Sequence, residues 1–407
     1  MRKLKMIVKQ LLAKTGSFDF YIKQLYIQLT VIIYKLKYLL VKVQPEQFVF
    51  ESFQGKSASD SPYALYLELT KLLPNANFIW VFSDNKHEDF QKLQNISNTR
   101  CVVRATKSYF QAYASSQYWI INCRLPYRLI PSISQTVIQC WHGTPLKKLG
   151  LDIKVENHPT SSLKAMHFAY LWESKRCDYF LSPSPYASKC FKSSFRVSDI
   201  QIVELGYPRN DDLSRYKKDL IYQNNIKKKL GIEQNKKVIL YAPTFRDDDF
   251  SAGKHRAINQ LDNTQFKEKF GDDVQFLFRG HYFSEVKQHQ DSFFLNVSSY
   301  PRINDLLLIA DAIITDYSSL FFDYLVLERP MFFYMYDKDK YLNDIRGTYL
   351  DVDKSMPGPI AQTQQELLNL LLNTEKNNID LKHFNDEYNP YEDGQSSLRV
   401  IQKILAS

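Results

Sequence analysis

The sequence is poor in the marks that usually announce a catalytic fold. It has no G-x-x-x-x-G-K-[ST] loop and no G-x-G-x-x-G turn, which argues against a P-loop NTPase and a standard NAD enzyme. Glycine is scarce, with 12 in 407 residues, so collagen-like and disordered readings fail. Cys101, Cys123, Cys140, Cys177 and Cys190 form no C-x-x-C pair and are odd in number. They predict neither a disulfide framework nor a structural zinc site, and they fit a reducing, cytoplasmic location. Near the N-terminus the longest uncharged stretch, Gln24 to Tyr34, falls far short of the roughly 20 apolar residues of a membrane span. No small-residue cleavage site follows a clean apolar block, so a removed signal peptide is not expected.

What is present begins with charge. The formal net charge is +9, but residues 1–42 hold nine Lys/Arg and one acid, Asp19. That segment alone is +8, so the other residues sum to +1 and the globular body is nearly neutral. With no basic stripe and no helix-turn-helix, zinc-finger or RNA-recognition signature, nucleic-acid binding is not expected. Within the basic segment Ile22, Leu25, Leu29, Ile32, Leu36, Leu39 and Val43 recur at steps of three or four, which predicts an amphipathic helix. Two readings stand: a peripheral helix drawn to an anionic membrane surface, or a helix packed on the protein's own surface with solvated lysines.

A chain this long exceeds the size at which one core stops growing, so two domains are expected. Strand-like and helix-like segments alternate from about Gln47, as in βαβ units. The economical architecture is α/β, with two Rossmann-like domains and a cleft between them. We divide the chain into a basic helical region (1–45), an N-terminal Rossmann-like domain (46–210) and a C-terminal Rossmann-like domain (211–407). Strands are predicted at Phe48–Phe50, Phe78–Phe82, Val102–Val103, Trp119–Ile121, Thr136–Trp141 and Tyr179–Leu181 in the first half. In the second they fall at Lys237–Tyr241, Val274–Phe278, Ala312–Thr315 and Met331–Tyr334, with a helix over Ser318–Leu327.

Two histidines follow such runs beside a glycine: His142 in His142-Gly143-Thr144-Pro145, and His281 in Arg279-Gly280-His281. Both are expected at strand C-terminal ends, where open α/β sheets bind ligands. In the second half, Asp316-Tyr317-Ser318-Ser319 follows a buried strand. Ser318 or Ser319 caps the next helix, and that N-terminus suits an anion, especially phosphate. Ordinary capping explains the same serines. Thr244 and Arg246 follow one strand and Arg279 and His281 the next, so three βα junctions offer phosphate-suited groups at one sheet edge. Arginine's planar fork matches a diphosphate, although a single arginine is as readily a surface ion-pair partner. Jointly these residues read as a nucleotide-diphosphate site. Asp247-Asp248-Asp249 reads as a solvated turn, since three adjacent carboxylates do not converge on one ion. His142 is suited to take a proton from an alcohol near neutral pH.

On these residues the chain resembles the CDP-glycerol glycerophosphotransferase family of teichoic acid and capsule synthesis. The matching stretches are CWHGTPLKKLG at 140–150, GYPRND at 206–211, YAPTFRDD at 241–248, FRGH at 278–281 and ITDYSSLFFDYLVLERP at 314–330. The resemblance implies a GT-B-like fold, a CDP-polyol donor, no cofactor or catalytic metal, and a lipid-linked acceptor at the cytoplasmic face of the membrane. It implies His142 as general base. It also implies Arg279, His281, Arg246, Thr244, Ser318 and Ser319 as diphosphate ligands, Asp323 on the nucleotide ribose, and Arg209 and Asp211 near the domain junction and donor. The chain is short for the family's polymerases, which leaves primase-like or single addition as open as processive synthesis. CDP-ribitol as donor, a nucleotide-sugar GT-B transferase and a non-enzymatic scaffold are the rival readings.

Overall fold

The computed structural model describes residues 18–154, 162–244, 250–251, 254–255, 261–280, 293–339, 347–374 and 379–406. It contains two compact units: residues 1–142, 148–209 and 395–407 form the first, and residues 143–147 and 210–394 the second.

The first unit carries seven strands: β1 Gln44–Glu51, β2 Asn77–Phe82, β3 Thr99–Val103, β4 Ser116–Ile121, β5 Thr136–Gln139, β6 Tyr179–Ser182 and β7 Ile202–Glu204. They lie in the order β3-β2-β1-β4-β5-β6-β7, every pair parallel. Parallel strands covered on both faces read as unbroken apolar runs, and the two-residue period then sorts the side chains. Phe48, Phe50, Phe78, Trp80 and Phe82 enter one cluster with Leu65, Tyr66 and Leu69 of the helix Asp60–Leu72. Val49, Ile79, Val81, Trp119 and Ile121 enter the other with Tyr109 and Tyr113 of the helix Lys107–Ser115. The strand order reverses direction between β1 and β4, which makes their C-terminal ends the switch point where ligands bind in such sheets.

The second unit repeats the plan with β8 Lys237–Tyr241, β9 Val274–Phe278, β10 Phe294–Asn296, β11 Ala312–Thr315, β12 Met331–Tyr334 and β13 Ile360–Ala361. Its order is β10-β9-β8-β11-β12-β13, again parallel throughout. The switch point here lies between β8 and β11. The α/β fold with two Rossmann-like parallel-sheet units is thus as expected, although the short strands β7, β10 and β13 carry too few apolar residues to be seen in the sequence.

The chain does not divide as the simple succession 46–210 and 211–407. The last helix, Ser396–Leu405, returns to the first unit, because Val400, Ile401 and Ile404 complete the cover of its sheet beside the helix Asp60–Leu72. Nor is the N-terminal helix, Phe18–Lys37, a separate region. It buries Ile27 and Tyr34, sets Phe20 edge-on to Phe168 at 5.4 Å, and donates from Lys23 Nζ to the Ala165 carbonyl at 3.0 Å. The stripe read from the sequence is on its other side. Leu25, Leu29, Ile32 and Leu36 are 58%, 52%, 53% and 69% exposed, so the helix packs through one face and offers its apolar stripe outward. Among the described residues no helix is long and apolar enough to cross a membrane.

Candidate active site

At the switch point of the first sheet, β5 stops at Gln139 rather than running to Trp141, since Trp141 adopts a left-handed backbone with φ 52°. This conformation is costly for a bulky residue and is held by its surroundings. The Trp141 amide donates to Gln139 Oε1 at 3.0 Å. Its indole packs on Phe195 and Phe180 at centroid distances of 4.7 and 6.1 Å. The kink turns His142 over the end of β4, stacked on Trp141 at 4.2 Å, with Nδ1 2.8 Å from the carbonyl of Asn122. A carbonyl can only accept, so Nδ1 carries the proton and Nε2 is left with its lone pair.

Three further groups surround the ring. Asn122, fully buried just past β4, accepts from the Phe53 amide through Oδ1 at 2.8 Å, and the Phe53 ring lies 6.1 Å from the imidazole. The loop after β1 is conformationally tight, with Phe53, Gln54, Gly55 and Asp60 all at positive φ. It ends at Asp60, whose Oδ2 is 3.1 Å from the Arg209 guanidinium, both side chains 9% exposed. Crowding by protein lowers the His142 pKa from its usual 6.5; the Asn122 carbonyl and Asp60 pull it up, and Arg209 and Arg124 push it down. The net direction is down, so the ring is neutral at pH 7 and fit to accept a proton.

At the switch point of the second sheet the predicted phosphate residues sort less simply. Asp316, buried, accepts from the Thr244 amide at 2.9 Å, and Thr315 Oγ1 donates to the Ala242 carbonyl at 2.8 Å. Asp316 therefore fastens the loop after β8 to the end of β11, and a carboxylate in that role is a support for Thr244 rather than a phosphate ligand. Ser318 Oγ accepts from the Leu320 amide at 3.2 Å; the Ser319 side chain makes no capping bond. The helix that follows is only Leu320–Tyr324, running into a 3₁₀ turn at Leu325–Leu327. Its dipole is accordingly weaker than that of the ten-residue helix anticipated. Arg279 donates through one guanidinium nitrogen to the carbonyls of Val297 and Tyr300 at 3.3 and 2.7 Å. Burial lowers its pKa to about 10, and among the described residues no carboxylate is ion-paired to it. A desolvated cation without a counter-charge suits an anionic ligand.

Of the three remaining donor residues, Arg209 and Asp211 flank the passage of the chain from one unit to the other, as expected. The boundary between the units falls between Arg209 and Asn210. Arg209 is spent on Asp60 in the first unit and lies over the Tyr207 ring at 4.6 Å. Asp211, at 2% exposure, starts the helix Asp211–Tyr216 and faces Arg215 at 3.5 Å. Asp323 accepts from Asn210 Nδ2 at 3.1 Å, tying two of the sequence motifs together within the second unit. Arg246, His281 and Asp247-Asp248-Asp249 lie outside the described residues. Asn122, Phe53, Trp141 and Asp60 were not singled out from the sequence; Asn122 alone carried a signal, a polar residue directly after the apolar run Trp119-Ile120-Ile121.

Residues 32–406 match the family model of CDP-glycerol:poly(glycerophosphate) glycerophosphotransferases. The chain belongs to this family. It is 40% identical to a teichoic acid glycerol-phosphate transferase of Staphylococcus aureus over 92% of its own length and 96% of that protein's. It is 33% identical to a teichoic acid poly(glycerol phosphate) polymerase of Bacillus spizizenii over 93% and 98%. The solved wall teichoic acid polymerase TagF superposes with a TM-score of 0.83 at 34% identity, covering 99% of this chain and 98% of that one. Family polymerases thus differ in length: this chain matches the one of Bacillus spizizenii almost end to end but only 46% and 50% of those of Staphylococcus epidermidis and Bacillus subtilis, so the chain is short for some polymerases and not for all.

Proposed function

We propose that this glycerophosphotransferase moves glycerol phosphate from CDP-glycerol to a hydroxyl of a lipid-linked acceptor, releasing CMP, in the synthesis of teichoic acid or a related surface polymer. The observation that carries the reading is the fixed tautomer of His142. With Nδ1–H given to the Asn122 carbonyl, Nε2 takes the proton from the acceptor hydroxyl. The oxygen forms its bond to the phosphorus bearing the glycerol, the bond from that phosphorus to the CMP oxygen breaks, and CMP leaves with the electron pair. Little covalent chemistry falls to the protein, so positioning and charge stabilisation dominate. Arg279, with Thr244 and Ser318, Ser319 near it in the motif set, neutralises the diphosphate. His281 and Arg246 join them by their motifs FRGH and APTFR. Asp323 holds the ribose, and the scheme needs no catalytic metal or cofactor. CDP-glycerol as donor is supported by a TagF variant solved with CDPG, to which this chain is 33% identical with a TM-score of 0.83.

The exposed stripe of the helix Phe18–Lys37, with Lys35 and Lys37 in its last turn and Lys42 just beyond it, supports peripheral attachment to the anionic cytoplasmic face of the membrane, where a lipid-linked acceptor resides. The test is donor-dependent CMP release against lipid-linked acceptors, comparing CDP-glycerol, CDP-ribitol and nucleotide sugars. His142→Ala should abolish release while CDP-glycerol still binds. Near-normal turnover in that variant removes the base assignment, and turnover with nucleotide sugars alone removes the reaction.

A further inference from the structure

Arg124, in the segment that follows β4, lies between two ion pairs of the first unit. On one side Asp60 and Arg209 are 3.1 Å apart, and both act with Arg124 on His142. On the other side Glu173 and Arg176 are 2.5 Å apart, and Arg124 acts on Glu173. Each carboxylate has its own cation, so Arg124 is the charge left over. Among the described residues no carboxylate is ion-paired to it. The guanidinium is nevertheless held in place, its carbon 3.8 Å from the centre of the Tyr170 ring. Tyr170 packs on Phe195 at 5.5 Å and Phe195 on Trp141 at 4.7 Å, the residue on which His142 is stacked. One aromatic row thus supports both the base and the arginine. Stacking occupies the face of the guanidinium and leaves its edge, where the N–H donors lie. Among the described residues no hydrogen bond takes that edge. Nor is any of its nitrogens sealed from solvent, as Nε is in Arg176 and Arg209. An oriented, accessible fork of donors with an uncompensated charge matches a phosphate group.

We infer that Arg124 binds a phosphate of the acceptor, holding a glycerol phosphate terminus while the free hydroxyl of that terminus meets His142. The inference rests on the proposed reaction. The hydroxyl and the phosphate of such a terminus belong to one glycerol unit. The two groups that receive them are fixed to one short segment, His142 by the Asn122 carbonyl and Arg124 two positions further on. Binding the phosphate therefore positions the hydroxyl for attack. This sets an acceptor that already carries glycerol phosphate ahead of a neutral glycan end.

The test compares two soluble synthetic acceptors, one ending in glycerol phosphate and one ending in the same glycerol on an uncharged linkage. Arg124→Gln keeps a donor of similar reach and removes the charge. Arg124 and Arg209 hold the His142 pKa down while Asp60 holds it up, so the acid limb of the pH–rate profile moves to higher pH in this variant, and KM is measured above that limb. The expected result is a KM for the phosphate-bearing acceptor raised by about 10-fold or more, with KM for the uncharged acceptor and for CDP-glycerol unchanged within about 2-fold. Arg124→Lys keeps the charge and loses the planar fork. It should fall between, and it provides the measurement if the glutamine variant folds poorly. Wild-type KM for the phosphate-bearing acceptor, or an equal loss for both acceptors, overturns the inference, since lost packing on Tyr170 does not tell a charged acceptor from a neutral one. The reaction itself is read separately. Binding of the phosphate-bearing acceptor to His142→Ala, followed by calorimetry, should weaken by a similar factor when Arg124→Gln is added. Turnover in His142→Ala sinks the base and leaves this comparison standing, whereas unaltered binding sinks only the role of Arg124.

Discussion

The Asp60–Arg209 pair offers the most direct test of how the base is tuned. Its N···O separation is 3.1 Å with each side chain 9% exposed; at an effective dielectric of about 20 the attraction is 332/(20 × 3.1), or about 5 kcal/mol. Desolvation of both charges offsets much of that, so the net worth of the pair is small, while removal of one partner strands the other and costs about 3–5 kcal/mol. Arg209→Met should lower stability by that amount in urea titration. Asp60→Asn should do likewise, and the double variant should lose far less than the sum. The two single variants should also pull His142 in opposite directions. Arg209 holds the ring's pKa down and Asp60 holds it up, so the acid limb of kcat/KM against pH should rise in Arg209→Met and fall in Asp60→Asn. Additive stabilities, or limbs that move together, would refute the argument.

Other expectations follow from single observations. Ile27→Ala on the packed face of the N-terminal helix should cost about 2–5 kcal/mol, since Ile27 is fully buried. Leu25→Gln with Leu29→Gln on its outer face should leave the melting temperature within a few degrees yet weaken sedimentation with anionic vesicles; unaltered sedimentation would remove the membrane role. Gly55→Ala should displace the loop beside His142 and reduce turnover, because Gly55 has φ 82° and an added Cβ would lie 2.6 Å from the Ser83 amide nitrogen; a fully active, stable variant would contradict this. Since the His142 pKa is lowered from 6.5 and the neutral ring is the proposed base, activity should be flat near pH 7 and fall only as pH drops through the depressed value. A limb at or above 6.5 in wild-type enzyme would reverse the assigned direction.

His142 and the two sheets were legible in the sequence because their signals are local: an imidazole and a glycine after an apolar run, and runs that are apolar on both faces. The partners of His142 were not. Asn122 is 20 positions from it and 69 from Phe53, and alone it looks like any polar residue at a βα junction. Arg209 is placed near the domain junction and the donor by its motif GYPRND, but the carboxylate it pairs with lies 149 positions earlier, at Asp60. The same limit hid the return of the C-terminal helix, whose apolar face could cover either sheet until the packing chose the first. Asp316 shows a different limit: its motif lies at the switch point of the second sheet, yet composition does not tell a ligand from a residue that fastens a neighbouring loop, as Asp316 does with the Thr244 amide.

Single addition and polymer synthesis are not separated by the size of the chain, since a named transferase and a named polymerase are each covered almost completely by it. On the proposed reaction, the difference lies in how long an acceptor stays near His142. One feature of the first unit bears on that residence: the outward stripe of the helix Phe18–Lys37. If the stripe holds the enzyme on the surface that anchors the acceptor, rebinding after each transfer is a local event at high effective concentration rather than a fresh encounter. Successive additions then become faster than release without any new contact to the polymer. Weakening the stripe with Leu25→Gln and Leu29→Gln should shorten the products while leaving CMP release from the first addition nearly unchanged on a soluble acceptor. Equal product lengths with intact first-addition rates would show instead that residence is set within the catalytic unit itself.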